Sequence, residues 1–224
     1  MLTLTADGST SHGSIALADE DGFRAERTWT EERRGPRLFF DQLRRLLEET
    51  GKRLEGVDFL TVGRGPGSFS GLRTSFAVFQ SAALPDHRPL FALNSTRVLA
   101  AELLAETGAG RVGVCGDARR GHLWFAVYTG PAENPEEVSP PALVPYENVA
   151  SQIDSDLPIV SPDRTRLERL AVDGLPAGLL PQPRFPSAQT LGEMALVRKA
   201  ANAPFDDPEP LYLHSAVAAR PRFE

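Results

Sequence analysis

The sequence predicts a mixed α/β fold of two lobes, and three observations carry that expectation. An apolar run, Val57-Asp-Phe-Leu-Thr-Val62, leads through a glycine-rich turn into a long amphipathic segment, the strand-to-helix succession of an α/β lobe. Ahead of it stand three short stretches in which apolar and polar residues alternate, the pattern of strands. Beyond Gly108-Ala-Gly110 the strand pattern resumes, which sets a boundary near residue 108. Residues 1–108 are thus expected to form the first lobe and residues 109–224 a second, reduced one.

Composition bounds what such a chain can do. With 224 residues, 41% hydrophobic and 24% charged, it matches ordinary globular domains and can bury a sizeable core. A formal net charge of −6 argues against a broad basic footprint for nucleic acid. Cys115 is the single cysteine, which excludes an intrachain disulfide and a cysteine-rich metal site. Met1 to Asp7 has neither a basic start nor a long apolar run, so a secretory signal is not expected. No stretch reaches the length of a membrane span, and the expected location is the cytoplasm.

Taken in order, Leu2 and Leu4 alternate with threonines as in a half-buried strand, ahead of the turn Asp7-Gly-Ser-Thr-Ser11. Ser14-Ile-Ala-Leu-Ala18 reads as the second strand, and Phe23, Ala25, Arg27 and Trp29 alternate on the third. Gly35-Pro36 opens the first helix, since proline is favoured at the first helical position. Phe39, Leu43, Leu46 and Leu47 form its stripe, Leu38 and Phe40 flank it, and Gly51 closes it. After the central turn, Phe69, Leu72, Phe76, Phe79 and Ala83 recur at helical spacing. A second row of Gly71, Ser75, Val78 and Ala82 is small enough for another helix to approach. Leu90 to Leu93 is a short strand, and Asn94-Ser-Thr96 starts a third helix that ends at Gly108.

In the second half, Arg111 to Cys115 and Leu123 to Tyr128 read as paired strands around Asp117-Ala-Arg-Arg-Gly121. Residues 130–142, rich in Pro and Glu, read as a surface loop. Pro158 to Val160 is a short strand, Arg164 to Val172 a helix, and Pro176 to Pro186 extended. Ser187 caps a helix over Ala188 to Ala201, and no internal repeat is visible in the sequence.

The central turn, with Gly63, Gly65, Gly67 and Gly71, admits two readings. Glycines there permit φ angles and close approaches that a Cβ would block, as a structural turn requires. Helix N-termini also attract anions. The phosphate-binding signatures do not fit, however. Three residues separate Gly67 from Gly71 where a Walker loop has four, Leu72-Arg73-Thr74 follows, and Ser70 stands where a dinucleotide motif needs its third glycine. Ser68 and Ser70 read as helix caps.

The stretch Gly63-Arg-Gly-Pro-Gly-Ser-Phe-Ser-Gly-Leu-Arg73 resembles the signature of the TsaB (YeaZ) family. Asp117-Ala-Arg-Arg-Gly121 and the ending Pro210-Leu-Tyr-Leu213 are similar to further motifs of that family, in the same order, although His214 replaces the family's arginine. The resemblance implies an actin-like ASKHA fold, related to ribonuclease H, in which Asp7 and Asp117 occupy the places of a vestigial nucleotide site. It implies a non-catalytic subunit that binds and activates the paralogue TsaD, which transfers threonylcarbamoyl to adenosine 37 of tRNA. The ATPase TsaE would complete the system, with tRNA met indirectly through the complex and the free chain either a homodimer or a monomer. The implied partner surface is the first two helices, with Leu38, Phe39, Leu43, Leu72, Arg73, Phe76, Phe79 and Gln80. No cofactor of its own is implied, although a nucleotide at the subunit boundary is compatible. One departure stands out: where relatives carry a histidine before the first helix, this chain has Arg33-Arg34-Gly35.

Catalytic patterns are sparse. His12, His87, His122 and His214 form no metal-binding pair of the kind TsaD uses, and no metal site is expected. The serines near the turn lack a nucleophile elbow. Two other readings stay open: an ASKHA ATPase or phosphotransferase with Asp7 holding metal, and a homodimeric binding protein diverged from tRNA modification.

Overall fold

A computed structural model of the chain describes residues 1–30, 36–170 and 175–214. The expected Arg33-Arg34 departure lies outside the described residues. Two sheets form the frame. The first has five strands, β1 (Leu2–Asp7), β2 (His12–Asp19), β3 (Arg24–Thr30), β4 (Phe59–Gly63) and β5 (Leu90–Leu93), in the order β3-β2-β1-β4-β5. β1, β2 and β3 pair antiparallel, whereas β4 runs parallel to β1 and β5 parallel to β4. Three antiparallel strands extended by two parallel ones make a mixed α/β lobe, consistent with the actin-like ASKHA fold expected from the sequence.

The second sheet comprises β6 (Arg111–Arg119), β7 (His122–Thr129), β8 (Glu136–Pro145) and β9 (Ile159–Val160), in the order β8-β7-β6-β9. Its antiparallel trio continues into a parallel strand, so it repeats the first sheet's pattern with one strand fewer among the described residues. β8 corrects the sequence reading, which left much of it as loop. Pro140 and Pro141 lack N–H groups, but β8 lies at the sheet edge, where a strand tolerates them.

Helices α1 (Pro36–Thr50) and α2 (Phe69–Ala83) cover one face of the first sheet. Phe39, Leu46, Phe76 and Phe79 join Leu4, Ala6, Ile15 and Leu17 in one core. Side chains alternate along a strand, so Thr3 and Thr5 point to the other face. That face is not open to solvent, and here too the structure corrects the half-buried reading of β1. Helix α6 (Ala188–Ala200) lies on it, and Thr5 Oγ1 donates to Ala188 O at 2.6 Å. Gly192 permits the close approach, since a Cβ there would sit 3.1 Å from Ala18 Cβ. Helix α3 (Ser95–Thr107) stands between the sheets: Leu99 and Leu103 pack on β6 and β7 residues, while Val98 and Ala101 meet Leu191 and Met194 of α6. Two short helices, α4 (Val149–Gln152) and α5 (Arg164–Leu170), close the second sheet's remaining face around Leu123 and Ile159. No described helix is long and apolar enough to cross a membrane.

Candidate functional site

Three places collect the residues singled out by sequence. The first is the glycine turn between β4 and α2. Gly65 has φ +95°, in the left-handed region. Its N–H donates to Ser95 Oγ at 3.0 Å, and its carbonyl accepts from Ser95 N–H at 2.9 Å. The turn between β1 and β2 packs directly onto the start of α2. A Cβ at Gly67 would stand 1.9 Å from Ser9 O, and one at Gly71 only 2.0 Å from Gly8 O. The second small row of α2 therefore admits a backbone turn, where the sequence suggested a helix. Ser68 N–H donates to Ser9 O at 2.6 Å, and Ser68 Oγ caps the helix by accepting from Gly71 N–H at 3.2 Å. Ser9 O thus takes the Ser68 N–H and Ser68 Oγ the Gly71 N–H at this N-terminus.

Asp7 ends β1 beneath this turn and is fully buried. Its Oδ1 accepts from Ser9 N–H at 2.8 Å and from Ser9 Oγ at 2.6 Å. Gly63 makes room for the carboxyl, since a Cβ there would lie 1.9 Å from Asp7 Oδ2. Ser95 stands close enough to favour the charged form, yet Oδ2 meets no partner in hydrogen-bonding geometry among the described residues. Burial dominates and pushes the Asp7 carboxyl above its usual range, against the opposing bonds from Ser9 and Ser95. Enclosed this way, the carboxyl does not fit the task of holding a solvated metal–nucleotide group.

Asp117 belongs to a separate network near the end of β6. Its Oδ1 accepts from Tyr146 OH and from Arg119 N–H, each at 2.9 Å, and Oδ2 pairs with the guanidinium groups of Arg119 (3.0 Å) and Arg166. Burial, then the adjoining Asp117 carboxylate, push the Tyr146 phenol well above its usual value. Asp7 and Asp117 share no partner among the described residues. No group of three or more His, Cys, Asp or Glu side chains is arranged to hold a metal among the described residues.

The third place is the outer side of α1 and α2. Phe39, Leu72, Phe76 and Phe79 are at most 3% exposed and sit inside the monomer, so they offer no surface to a partner. This corrects their expected role. Their periodicity marked one helix face, and the chain's own sheet takes that face. Leu38 and Leu43 are half-buried, and Arg73 and Gln80 are exposed. Between the helices lies an open groove of about 290 Å³ lined by Phe40, Arg73, Thr74, Ala77, Val78 and Ser81. Phe40 is 54% exposed at its edge. Phe69, expected in the buried stripe, is 58% exposed; Arg73 lies over its ring at 4.7 Å, and Tyr212 packs beside it at 5.3 Å. The sequence reading passed over Ala77 and Ser81. Their spacing of four from Arg73, on the side opposite Phe76 and Phe79, was the available signal.

The family described as TsaD, tRNA N6-adenosine threonylcarbamoyltransferase, matches residues 38–201. Among curated relatives, the tRNA threonylcarbamoyladenosine biosynthesis protein TsaB of Escherichia coli is 29% identical over 57% of this chain, and that of Haemophilus influenzae 31% over 56%. The matched part spans only 55% and 53% of those relatives. Two solved structures from Pseudomonas aeruginosa, YeaZ and a protein described as similar to peptidase YeaZ, are each 28% identical. They superpose with TM-scores of 0.78 and 0.77, covering 95% of this chain and 99% of theirs.

Proposed function

We propose a function from one established fact: the chain belongs to the TsaD-type tRNA N6-adenosine threonylcarbamoyltransferase family and, within it, to the TsaB (YeaZ) group. The proposed role is that of a non-catalytic cytoplasmic scaffold that binds and activates a TsaD-like paralogue for threonylcarbamoyl transfer to tRNA. A TsaE-like ATPase would complete the assembly. The observation that carries this reading is the groove between α1 and α2, open and edged by the exposed Phe40. A large aromatic left in water at the rim of a helix pair suits a partner helix laid along it. The closed glycine turn and enclosed Asp7 support a subunit that performs no chemistry of its own. A nucleotide at the subunit boundary would have to be held largely by the partner.

The direct test is co-elution of the chain with the TsaD of its own organism, with mass read by light scattering. A one-to-one complex replacing the free species is expected. Two separate peaks at micromolar concentration would overturn the scaffold reading. A second copy of this chain in the groove would register as a homodimer that the paralogue fails to displace. ATP turnover by the chain alone, lost in Asp7→Ala, would favour the ATPase reading instead.

A further inference from the structure

The hairpin joining β6 to β7 is strained where it could have been relaxed. Arg119 pairs with His122, which leaves Arg120-Gly121 as a two-residue turn. Arg120 has φ 52° and Gly121 φ 78°, the signs of a type I′ turn, whose first position favours Asn, Asp or Gly. Arg119, just before it, also sits at φ 67°. Two consecutive residues bearing a Cβ in the left-handed region are disfavoured by the clash of that Cβ with the carbonyl.

The surroundings hold the strain in place. His122 Nδ1–H donates to Arg120 O at 2.9 Å, and Tyr146 N–H donates to Gly121 O at 3.0 Å. His214, from the C-terminal segment, donates through Nε2–H to Ala118 O at 2.7 Å. Asp117, with its side chain 2% exposed, anchors Arg119 and Arg166 from below, while their side chains remain 59% and 47% exposed. Arg120 is exposed at the tip. Two guanidinium groups thus meet on one carboxylate, and a third arginine stands exposed at the adjoining turn, in a chain whose net charge is −6. The carboxylate that orients two of them takes one nitrogen of each, and their other N–H donors meet no carboxylate among the described residues. Backbone strain retained at an exposed tip points to function.

We propose that this tip, through Arg119, Arg120 and Arg166, contacts the phosphate backbone of RNA, so that the chain touches the tRNA substrate itself. Guanidinium forks match phosphate oxygens in geometry and charge. A small cationic tip can engage a few phosphates within a complex without giving the chain a broad basic footprint. The proposal rests on the tRNA-modification role above.

The test is filter binding of an unmodified tRNA transcript over a series of salt concentrations, to the chain alone and to its complex with the TsaD-like partner. Arg120→Gly removes a charge while supplying the residue the turn prefers, so its folding stability should stay level or rise while RNA affinity falls severalfold. The slope of affinity against salt should shrink by about 1 for each phosphate no longer neutralised. Arg120→Lys should retain most of the affinity, and Arg166→Gln should lower RNA affinity and salt slope as Arg120→Gly does, at some cost in stability because Asp117 loses a partner. Unchanged affinity and slope in Arg120→Gly and Arg166→Gln would overturn the RNA role of the tip, with the scaffold role standing if the complex still forms. Loss of complex assembly in those variants would also overturn it, in favour of an acidic protein surface. If no complex forms yet the chain's own tRNA binding falls in Arg120→Gly, the RNA role stands and the scaffold reading falls. Absence of tRNA binding by both preparations overturns the RNA role.

Discussion

Glu102 reaches from α3 toward the first turn of α6, where its Oε1 accepts from Ser187 N–H at 3.3 Å. Burial raises its carboxyl from 4.5 to about 7; the bonds from Thr190 and Ser187 oppose the rise, Glu26 adds to it, and Arg184 offsets part of it. The folded chain therefore holds a proton that the unfolded chain releases above about pH 4.5, and stability falls as pH rises through that interval. The loss is on the order of 3 kcal/mol by the time Glu102 is ionised. Glu102→Gln keeps the acceptor for Ser187 and has no proton to lose. Urea melts at pH 5 and pH 8 should show the wild type weaker at pH 8 and the variant much closer to level. An equal drop in both proteins would remove Glu102 as the cause.

At the scale of elements, α1 and α2 divide their apolar residues between two tasks. Phe79 is fully buried against β1 and β2 residues, and Phe39 meets it edge-on with ring centroids 6.1 Å apart. Phe79→Ala should cost about 3–5 kcal/mol of folding stability, as truncations of buried aromatics do. Phe40 stands outside that core. Phe40→Asp should leave folding stability within about 0.5 kcal/mol of wild type. It should nevertheless weaken the complex with the TsaD-like partner by tenfold or more, since a charge on an apolar interface is desolvated without a partner. Calorimetric titration of both variants separates the roles. A Phe40→Asp protein that binds as tightly as wild type would take the groove out of the interface.

Over the whole molecule, the C-terminal segment ties both sheets together. Asp206 N–H donates to Ala92 O at 3.0 Å, and its Oδ2 accepts from Asn94 N–H at 2.7 Å. Leu211 N–H donates to Arg64 O at 2.8 Å, Tyr212 packs on Phe69, and His214 reaches Ala118. Ending the chain after Glu209 removes Leu211, Tyr212 and His214 from these positions. Each hydrogen bond contributes about 1 kcal/mol net, so the truncated protein should be weaker by about 2 kcal/mol. Amide exchange should accelerate at residues 64–70 and 118–121 and stay slow in β1 and β4. Unchanged exchange at the glycine turn would show that the segment does not brace it.

Local chemistry by itself determined much of this. Proline at the start of α1, Ser68 before α2, Gly108 in the left-handed conformation after α3, and the apolar stripes of the first two helices all act within a few residues. The family motifs were legible for the same reason, as contiguous strings. The tertiary structure decided what those strings meet. Thr3 and Thr5 are written as the polar face of a strand, yet α6, some 183 residues beyond Thr5, covers them. Gly67 and Gly71 announce close approach, and only the fold shows that Gly8 and Ser9 make it. The pattern common to the two sheets left no trace in sequence, because strand order resides in hydrogen-bond pairing between distant segments. Helical spacing likewise marks a buried face without saying what buries it. The division of Phe79 to the core and Phe40 to the surface was therefore fixed by the way α1 and α2 settle on their own sheet.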